Sequence, residues 1–242
     1  MIYFYFVIYL NQHEEEAKTM KKHSSNIKVR IRGKMACFTN PATNPECYSY
    51  PVPTLPSLTS ILSNIYWKPE MEYHVNGVHV INKIEYGNSI KFKETPLQSS
   101  VGMITITPLI NVDYIIDCAI GIVSLDESMI TTEEDALISN LNKHYGILIR
   151  RIEKGQEYKM PFFGKSQFPV EDISAVNEIP KSHYDNVTVP FGAMHAGMIK
   201  PPYNKENNVQ DPIGKKIFKN VIMENGFIDF NKSKEGEVSC IF

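Results

Sequence analysis

Apolar and polar residues alternate where the regular part of the chain begins, at positions 26–32. Ile27, Val29 and Ile31 are apolar, and each residue between them is a cation. A period of two is typical of a β-strand whose two faces meet different surroundings. The pattern therefore predicts a first strand with one buried face and one basic face. The cations of the basic face are Lys28, Arg30 and Arg32.

Helical spacing replaces the alternation in residues 56–67. The apolar residues that share one helical face are Leu58, Ile61, Leu62 and Ile65. Pro56 suits the first helical turn, where its missing N–H is not needed, and Pro69 prevents the helix from continuing. We therefore expect Tyr66 and Trp67 at the C-terminal end of this helix.

A second helix is predicted after residue 131. Thr131 and Glu134 have the spacing of an N-terminal capping box, and Gly155 suits the end of the helix. Gly146 leaves two arrangements open, a single helix or two short helices separated at this glycine. The apolar residues expected on the buried face are Leu137, Leu141, Tyr145, Leu148 and Ile152.

An Asn-Gly pair in residues 71–81 predicts a tight β-hairpin. Asn76 and Gly77 form the preferred two-residue turn of type I′. This register places His74 opposite His79. Two histidines can begin a metal site, but no carboxylate or thiolate is placed to complete it. Two histidines on a polar face are therefore the favoured interpretation.

Strands are also predicted in the rest of the chain. Residues 103–124 are rich in Ile, Val and Thr and predict one or two strands, broken near Pro108. Asn225 and Gly226 predict a further hairpin. The order strand, helix, hairpin, strand, helix and further strands indicates an α+β fold. A ferredoxin-like core with a β-rich appendage is one such arrangement.

Charge gives a local signal only. The 242 residues carry a net charge of −2, so any surface for a polyanion has to be confined to part of the molecule. Residues 18–34 contain several cations and no acid. A lone basic strand face is either a solvated surface or a phosphate-binding surface, and the sequence favours neither.

The cysteines and the N-terminus argue against a secreted or membrane protein. The four cysteines are scattered without CxxC spacing, which favours reduced thiols in the cytoplasm. The apolar run of residues 1–10 is shorter than the roughly 20 residues that a spanning helix needs, and it lacks the positive start of a secretory signal. We expect residues 1–25 to be a poorly ordered extension that is uninformative about function.

Several common catalytic motifs are absent: a P-loop, a dinucleotide-binding glycine fingerprint, HExxH and GxSxG. The remaining candidate chemistry is Lys143 beside His144. An imidazole titrates near neutral pH, with an unperturbed pKa of about 6.5, and an ammonium can hold a phosphate. Spacing alone nevertheless favours a solvated helix surface for this pair, and a core or rim position for Tyr66.

Five blocks in a fixed order resemble one protein family. They are residues 28–38, residues 51–69 ending in YWKP, residues 142–156 containing NKHY, residues 161–169 (PFFGKSQFP) and residues 223–230 (MENGFIDF). Together they resemble the CRISPR-associated family five (Cas-five) in its subtype I-C, or Dvulg, form. The ordered combination is far more specific than any single block.

The resemblance implies a ferredoxin-like, RNA-recognition-like domain at residues 26–180, followed by a small antiparallel β domain at residues 181–242. It implies cleavage of CRISPR precursor RNA at the base of each repeat hairpin, with no metal or other cofactor, giving 5′-hydroxyl and 2′,3′-cyclic phosphate ends. The chain then stays on the 5′ handle as a subunit of the type I-C surveillance complex. Its implied partners are repeat or guide RNA, the backbone and large subunits, and target DNA through the complex. The implied location is cytoplasmic, with no membrane partner.

The resemblance also assigns residues. The catalytic tyrosine of the family matches Tyr66, and its lysine–histidine pair matches Lys143 and His144. We expect His144 to act as general base or acid and Lys143 to stabilise phosphate charge. Tyr66 is expected to position the ribose or phosphate, or to share in proton transfer. The residues expected to bind RNA are Lys28, Arg30, Arg32, Lys34, Lys68, Arg150 and Arg151.

Two alternatives stay open on the sequence alone. The first is a subunit that binds the 5′ handle of guide RNA without catalysis, because convergence of Tyr66, Lys143 and His144 does not follow from their spacing. The second is an unrelated α+β interaction protein.

Overall fold

Strands outnumber helices in the part of the chain that the computed structural model describes, namely residues 24–43, 46–94, 102–122, 134–199, 214–234 and 237–241. The helices are α1 (Leu55–Ile65), α2 (Glu134–Lys154) and α3 (Phe230–Lys234), with a 3-10 helix at Pro41–Thr43. The strands are β1 (Ile27–Ala36), β2 (Cys47–Tyr48), β3 (Met71–Val80), β4 (Ile90–Glu94), β5 (Gly102–Thr107), β6 (Leu109–Ile122), β7 (Asp172–Ala175), β8 (Thr188–Ile199), β9 (Gly214–Glu224), β10 (Phe227–Asp229) and β11 (Glu237–Ile241). Residues 1–23 of the predicted N-terminal extension lie outside the described residues.

Most of these strands join one antiparallel sheet. Its order is β11–β9–β10–β3–β6–β1–β7, with β8 paired to β9. A smaller sheet contains β2, β5 and β4, and its β2–β5 pairing is parallel. The protein therefore combines helices with mostly antiparallel strands, which confirms the expected α+β class at that level. Strands from both sides of residue 180 share the large sheet, through the pairing of β10 with β3.

β1 has the alternation that its sequence predicts. Ile27, Val29 and Ile31 are buried in the core together with apolar residues of α1 and α2. Because successive side chains of a strand point to opposite faces, the even-numbered residues 28–34 point away from the two long helices. The basic face of β1 is thus separated from the helical layer by the sheet itself.

α1 lies close to its predicted position. Pro56 is in its first turn, and its buried residues are the predicted ones. The helix ends at Ile65 because Tyr66 has an extended backbone, with φ of −153° and ψ of 131°. Tyr66 still donates its backbone N–H to the carbonyl of Leu62. The side chain of Tyr66 therefore leaves the end of the helix in a fixed direction.

α2 is one continuous helix, so of the two arrangements left open at Gly146 the unbroken one is present. Packing of the apolar face against the core stabilises a helix that a single glycine weakens. The buried residues of that face include Leu141, Leu148 and Ile152. Gly155 ends the helix with φ of 59°, as predicted. The predicted cap residue Thr131 and the side chain of Leu137 lie outside the described residues.

The predicted hairpin at residues 71–81 is wrong. Residues 71–80 form the single strand β3, whose register with β6 shifts between Val75 and Gly77. A Cβ atom at Gly77 would collide with the Phe227 ring and with the carbonyl oxygen of Ile228. The glycine is thus required for the close approach of β10 to β3, and it does not form a turn.

The predicted pairing of His74 with His79 is wrong for the same reason. Both histidines lie on β3, where His74 is opposite Ala119 and His79 is opposite Ile115 of β6. Within the described residues, no group of three His, Cys, Asp or Glu side chains is arranged to hold a metal ion.

Two other strand predictions are confirmed. β5 and β6 are separated at Pro108. Asn225 and Gly226 connect β9 to β10 with φ of 54° and 76°. Positive φ at both central residues is the requirement of a type I′ turn. The two Asn-Gly pairs of the chain therefore have different structural roles.

The two long helices pack on the large sheet and on each other. α1 contacts β3 and β8, whereas α2 contacts β6 and β7. This arrangement brings residues just after α1 close to the middle of α2. None of the helices among the described residues is long and apolar enough to cross a membrane.

Candidate active site

A tyrosine and a histidine meet below the surface where the end of α1 approaches α2. The hydroxyl of Tyr66 lies 2.8 Å from Nδ1 of His144, and the ring centroids are 5.9 Å apart. Tyr66 is 2% exposed and His144 is 3% exposed. The structure thus brings together two of the three predicted catalytic residues, which lie on different helical segments.

The surroundings of His144 hold its imidazole in the neutral form. Burial lowers the pKa of His144, Glu70 raises it, and the charges of Lys143 and Lys68 lower it further. Because Tyr66 occupies Nδ1, Nε2 is the nitrogen that remains for chemistry. Nε2 lies 3.8 Å from Oε1 of Glu70, which is too long for a hydrogen bond. In the tautomer that carries its proton on Nδ1, the neutral imidazole has a bare Nε2, which can accept a proton at neutral pH.

Several contacts hold Tyr66 in place. The hydroxyl of Tyr73 on β3 donates to the carbonyl of Tyr66 at 2.7 Å. The guanidinium of Arg151 lies 5.2 Å from the centroid of the Tyr66 ring and donates to the preceding backbone carbonyl at 3.2 Å. Burial and the charge of Glu70 raise the pKa of Tyr66, with Arg151 acting in the opposite direction. The Tyr66 hydroxyl therefore keeps its proton, and its oxygen can still accept a hydrogen bond from Nδ1–H of the imidazole.

Lys143 lies beside this contact but not within it. Successive residues of a helix point about 100° apart, so Lys143 is exposed while His144 is buried. Its charge still acts on the imidazole. Lys68 and Arg150 are exposed as well. None of these three cations forms an ion pair within the described part of the chain.

The basic face of β1 is largely neutralised by acids on the neighbouring segments. Its ion pairs are Arg30 with Asp113, Arg32 with Asp172 and Lys34 with Glu171. Arg30 donates to both carboxylate oxygens of Asp113, at 3.0 and 2.6 Å, and this contact raises the pKa of Arg30. These cations lie on the face of the sheet opposite α1 and α2. The structure does not bring them to the Tyr66–His144 contact.

Two neighbours of the site, Glu70 and Tyr73, are not indicated by the sequence, and Arg151 was expected only as an RNA-binding residue. In the structure Arg151 also connects α2 to the end of α1. The roles of Glu70 and Arg151 depend on contacts between distant parts of the chain, whereas Tyr73 bonds to Tyr66 across a turn of seven residues. No local spacing could have indicated them.

A neutral imidazole that is hydrogen-bonded to a tyrosine hydroxyl and has lysines nearby can take part in acid–base catalysis. The chain belongs to the family described as CRISPR-associated protein (Cas_Cas5), in its Cas5d form, and the match covers residues 26–231. This membership confirms the resemblance to the Cas-five family.

Two relatives carry functional names. The chain is 28% identical over 164 residues to the CRISPR pre-crRNA endoribonuclease Cas5d of Thermus thermophilus, covering 64% of this chain and 67% of that protein. It is 26% identical over 162 residues to the protein of the same name from Mannheimia succiniciproducens, covering 60% of this chain and 71% of that protein.

Two solved structures have a similar fold. One is a functionally uncharacterized protein, SMU1763c, from Streptococcus mutans, with 26% identity, a TM-score of 0.63, and coverage of 90% of this chain and 98% of that one. The other is a CRISPR-associated protein with 25% identity, a TM-score of 0.63, and coverage of 91% and 98%.

Proposed function

We propose that this chain is a CRISPR pre-crRNA endoribonuclease that cuts repeat RNA at the base of its hairpin. The observation that carries the proposal is the 2.8 Å contact between Tyr66 and His144. The names of the two relatives support the same activity. RNA carries its own nucleophile, the 2′-OH, so the protein has only to orient it, move protons and stabilise charge.

The arrangement suits His144 as the general base. Its lowered pKa keeps the imidazole neutral at pH 7, and Nε2 can take the proton of the 2′-OH. The 2′-oxygen then bonds to phosphorus while the bond to the 5′-oxygen breaks. The 5′-oxygen takes up a proton from water, and the imidazolium returns its proton to solvent after cleavage. Lys143 stabilises the negative charge on the phosphate oxygens, and the Tyr66 oxygen accepts the hydrogen bond of Nδ1–H, which leaves Nε2 free to act as the base. The products have 5′-hydroxyl and 2′,3′-cyclic phosphate ends, and no step requires a metal ion.

Access to Nε2 requires a local movement. His144 is almost wholly buried, and the side chain of Glu70, which is 49% exposed, lies nearest to Nε2. An exposed carboxylate can change rotamer at small cost and moves away readily when a phosphate approaches. We propose that RNA binding displaces Glu70 and opens Nε2 to the ribose.

Exposed cations near the site are the best candidates to hold the RNA backbone. Lys68 and Arg150 are exposed and have no ion-pair partner within the described residues. On β1, Lys28 has no such partner either, whereas Arg30, Arg32 and Lys34 are paired with carboxylates. To bind a phosphate, each of these three cations would have to release its carboxylate partner, so we propose that they contribute less to RNA binding. The contribution of Arg151 is chiefly to position Tyr66.

The strand order supports a finer description of the fold. Along the chain β1 comes before α1, β3, β6, α2 and β7 in that order, and the four strands lie in the order β3–β6–β1–β7 within the sheet. This order matches the β-α-β-β-α-β arrangement expected of a ferredoxin-like domain, which supports the proposal of one. We propose such a domain at residues 26–180, extended by the strands of residues 181–242.

The same fold suits retention of the product. We propose that the chain keeps the 5′ handle of the guide RNA and joins the other subunits of a type I-C surveillance complex in the cytoplasm, as the resemblance implies.

Cleavage of CRISPR repeat RNA by the purified protein, in the presence of EDTA, tests the activity. His144→Asn retains a group that can bond to the Tyr66 hydroxyl at the position of Nδ1 but removes Nε2. We expect it to slow single-turnover cleavage by about 10²–10⁴-fold, the usual contribution of positioned proton transfer. Lys143→Met should also slow cleavage. His183→Asn and Lys91→Met change exposed residues of the same types elsewhere and should cut at the normal rate.

A deoxyribose at the cut nucleotide should block the reaction, since it removes the nucleophile. Cleavage of that substrate, cleavage abolished by EDTA, or a normal rate for His144→Asn contradicts the proposed chemistry.

One observation favours a second candidate, a subunit that binds the 5′ handle without cutting it. Tyr66 and His144 are 2% and 3% exposed, so their contact is also consistent with a purely structural role. Tight binding of repeat RNA without cleavage, by protein of verified fold, identifies this candidate.

A further inference from the structure

Large apolar side chains stand in solvent next to the buried Tyr66–His144 contact. Trp67 is 51% exposed, Tyr158 is 65% exposed and Met160 is 72% exposed. Single exposed apolar residues are common on protein surfaces. Here, however, the two aromatic residues come from different segments of the chain, and both segments adjoin the buried Tyr66.

Backbone hydrogen bonds fix this proximity. The N–H of Tyr158 donates to the carbonyl of Ile65 at 3.1 Å, and the N–H of Lys159 donates to the carbonyl of Asn64 at 2.9 Å. Trp67 follows Ile65 by two residues, a distance of at most about 7 Å along an extended chain. The segment that carries Tyr158 is therefore tied to the end of α1, from which Tyr66 and Trp67 emerge.

Arg151 strengthens this connection. Its Nη1 donates to the carbonyl of Ile65 at 3.2 Å and to the carbonyl of Gln156 at 3.4 Å. One guanidinium on α2 thus contacts both segments while it lies over the ring of Tyr66. The segments that carry Trp67 and Tyr158 are therefore joined to each other by hydrogen bonds next to the candidate active site.

Cations accompany the exposed rings. Lys68 follows Trp67 directly, and Nζ of Lys159 lies 5.5 Å from the ring centroid of Tyr158. Two acids, Glu70 and Glu157, are also exposed there, so the surface is mixed in charge. An aromatic face with an adjacent cation is suited to a nucleotide, because the ring stacks on the base and the cation binds the phosphate. A protein partner offers no such match to the adjacent phosphate chemistry of Lys143 and His144.

We propose that Trp67 and Tyr158 form a base-stacking subsite for unpaired nucleotides next to the scissile phosphate. The inference rests on the proposed function and names the part of the RNA that the site recognises. Stacking on a side chain requires a base that is not already paired and stacked within a helix. The subsite therefore selects the single-stranded nucleotides at the base of the hairpin and places the adjoining ribose at His144.

The sequence supplies a direct probe, since Trp67 is the one tryptophan of the chain. Repeat RNA with a deoxyribose at the cut nucleotide is bound but not cleaved. We expect this RNA to quench the emission of Trp67 and to protect it from iodide. Trp67→Ala and Tyr158→Ala should weaken binding by about 5- to 100-fold, the range for loss of one stacked base. Trp67→Phe and Tyr158→Phe, which retain a ring, should stay within a few-fold of the normal affinity.

Tyr48→Ala is the matched control, because Tyr48 is an exposed aromatic residue, 41% exposed, on the smaller sheet. It should bind RNA normally. Unchanged Trp67 emission at saturating RNA, with binding verified by filter retention, overturns the subsite. Equal affinities of the two alanine variants and the unaltered protein overturn it as well. The fluorescence measurement uses the unaltered protein, so it decides the matter even where an alanine variant fails to fold.

The outcomes also separate this inference from the proposed activity. Cleavage of all-ribose RNA without any response of Trp67 leaves the nuclease intact and rejects the subsite. Quenching of Trp67 with no cleavage supports the subsite and rejects the nuclease.

Discussion

The two nitrogens of the His144 imidazole have different neighbours, and this difference determines its chemistry. Nδ1 is held by the Tyr66 hydroxyl, whereas Nε2 faces the exposed carboxylate of Glu70. Burial, Lys143 and Lys68 disfavour the imidazolium ion, and Glu70 favours it. The protonation of His144 can therefore be moved in either direction by changing one neighbour.

Replacement of Glu70 or Lys68 should shift the pH dependence of cleavage in opposite directions. A general base works only when it is deprotonated, so kcat/KM falls as the pH drops through the pKa of His144. Because that pKa is lowered, the normal enzyme should keep its rate down to about pH 6.5 and lose it in more acidic buffer. Glu70→Gln removes a group that raises the pKa and moves the fall to lower pH. Lys68→Met removes a group that lowers the pKa and moves the fall to higher pH.

The measurement is single-turnover cleavage at subsaturating protein concentration between pH 5 and pH 8. The pH at which kcat/KM falls to half is compared among the unaltered protein, Glu70→Gln and Lys68→Met. A rate that rises as the pH falls from 7 contradicts the assignment of His144 as base. Shifts of the same sign in both variants contradict the proposed electrostatics.

At the scale of elements, the site depends on how the end of α1 is attached to α2. Arg151 supplies this attachment through the carbonyl of Ile65 and the ring of Tyr66. Its neighbour Arg150 is exposed on the same helix, so the two arginines form a matched pair with different roles.

Arg151→Met should reduce both stability and cleavage. We expect a loss of about 1–2 kcal/mol in the free energy of unfolding, from the charged hydrogen bonds to the carbonyls of Ile65 and Gln156 and from one cation–π contact. Displacement of Tyr66 by a fraction of an ångström should slow cleavage by about 10–100-fold. Arg150→Met should unfold normally and show weaker RNA binding only. Urea unfolding and single-turnover cleavage of both variants check this, and equal stability of the two variants contradicts the role of Arg151.

The elements themselves were predictable wherever the deciding interactions are local. The alternation of Ile27, Val29 and Ile31 and the positive φ of Asn225 follow from short-range rules, and both predictions are confirmed. Gly77 has the same local signal as Gly226, but its deciding contact is with Phe227 on a distant strand. Spacing likewise gave no reason to join Tyr66 to His144, and only the family resemblance indicated that pair.

At the scale of the whole molecule, β10 connects the strands that follow residue 180 to the rest of the large sheet. β10 pairs with β3 at Gly77, and a side chain at this position would collide with Phe227 and Ile228. The pairing that joins the two parts of the sheet therefore requires glycine at position 77.

Gly77→Ala should lower the free energy of unfolding by about 1–3 kcal/mol through overpacking. Gly146→Ala is the control, because a Cβ there has no atom within 4 Å and alanine favours the helix. We expect Gly146→Ala to raise the free energy of unfolding by about 0.5–1 kcal/mol. Chemical denaturation of both variants provides the comparison. A neutral effect of Gly77→Ala contradicts the close approach of the two strands.

The sheet also divides the charges of the molecule. The paired cations of β1 lie on one face, and the exposed cations around His144 lie on the helical side. The net charge of −2 conceals this distribution. The overall composition therefore carries less information about RNA binding than the position of each unpaired cation.

The proposed cleavage mechanism requires Tyr66 and His144 to act as one unit on one phosphate. A double-mutant cycle on single-turnover cleavage of repeat RNA, using Tyr66→Phe, His144→Asn and the double variant, tests this most directly. Residues that act together show strongly non-additive losses, so the double variant should cut about as slowly as the slower single variant. If the cleavage rate of the double variant is reduced by the product of the two single effects, the two residues act independently, which contradicts the proposed mechanism.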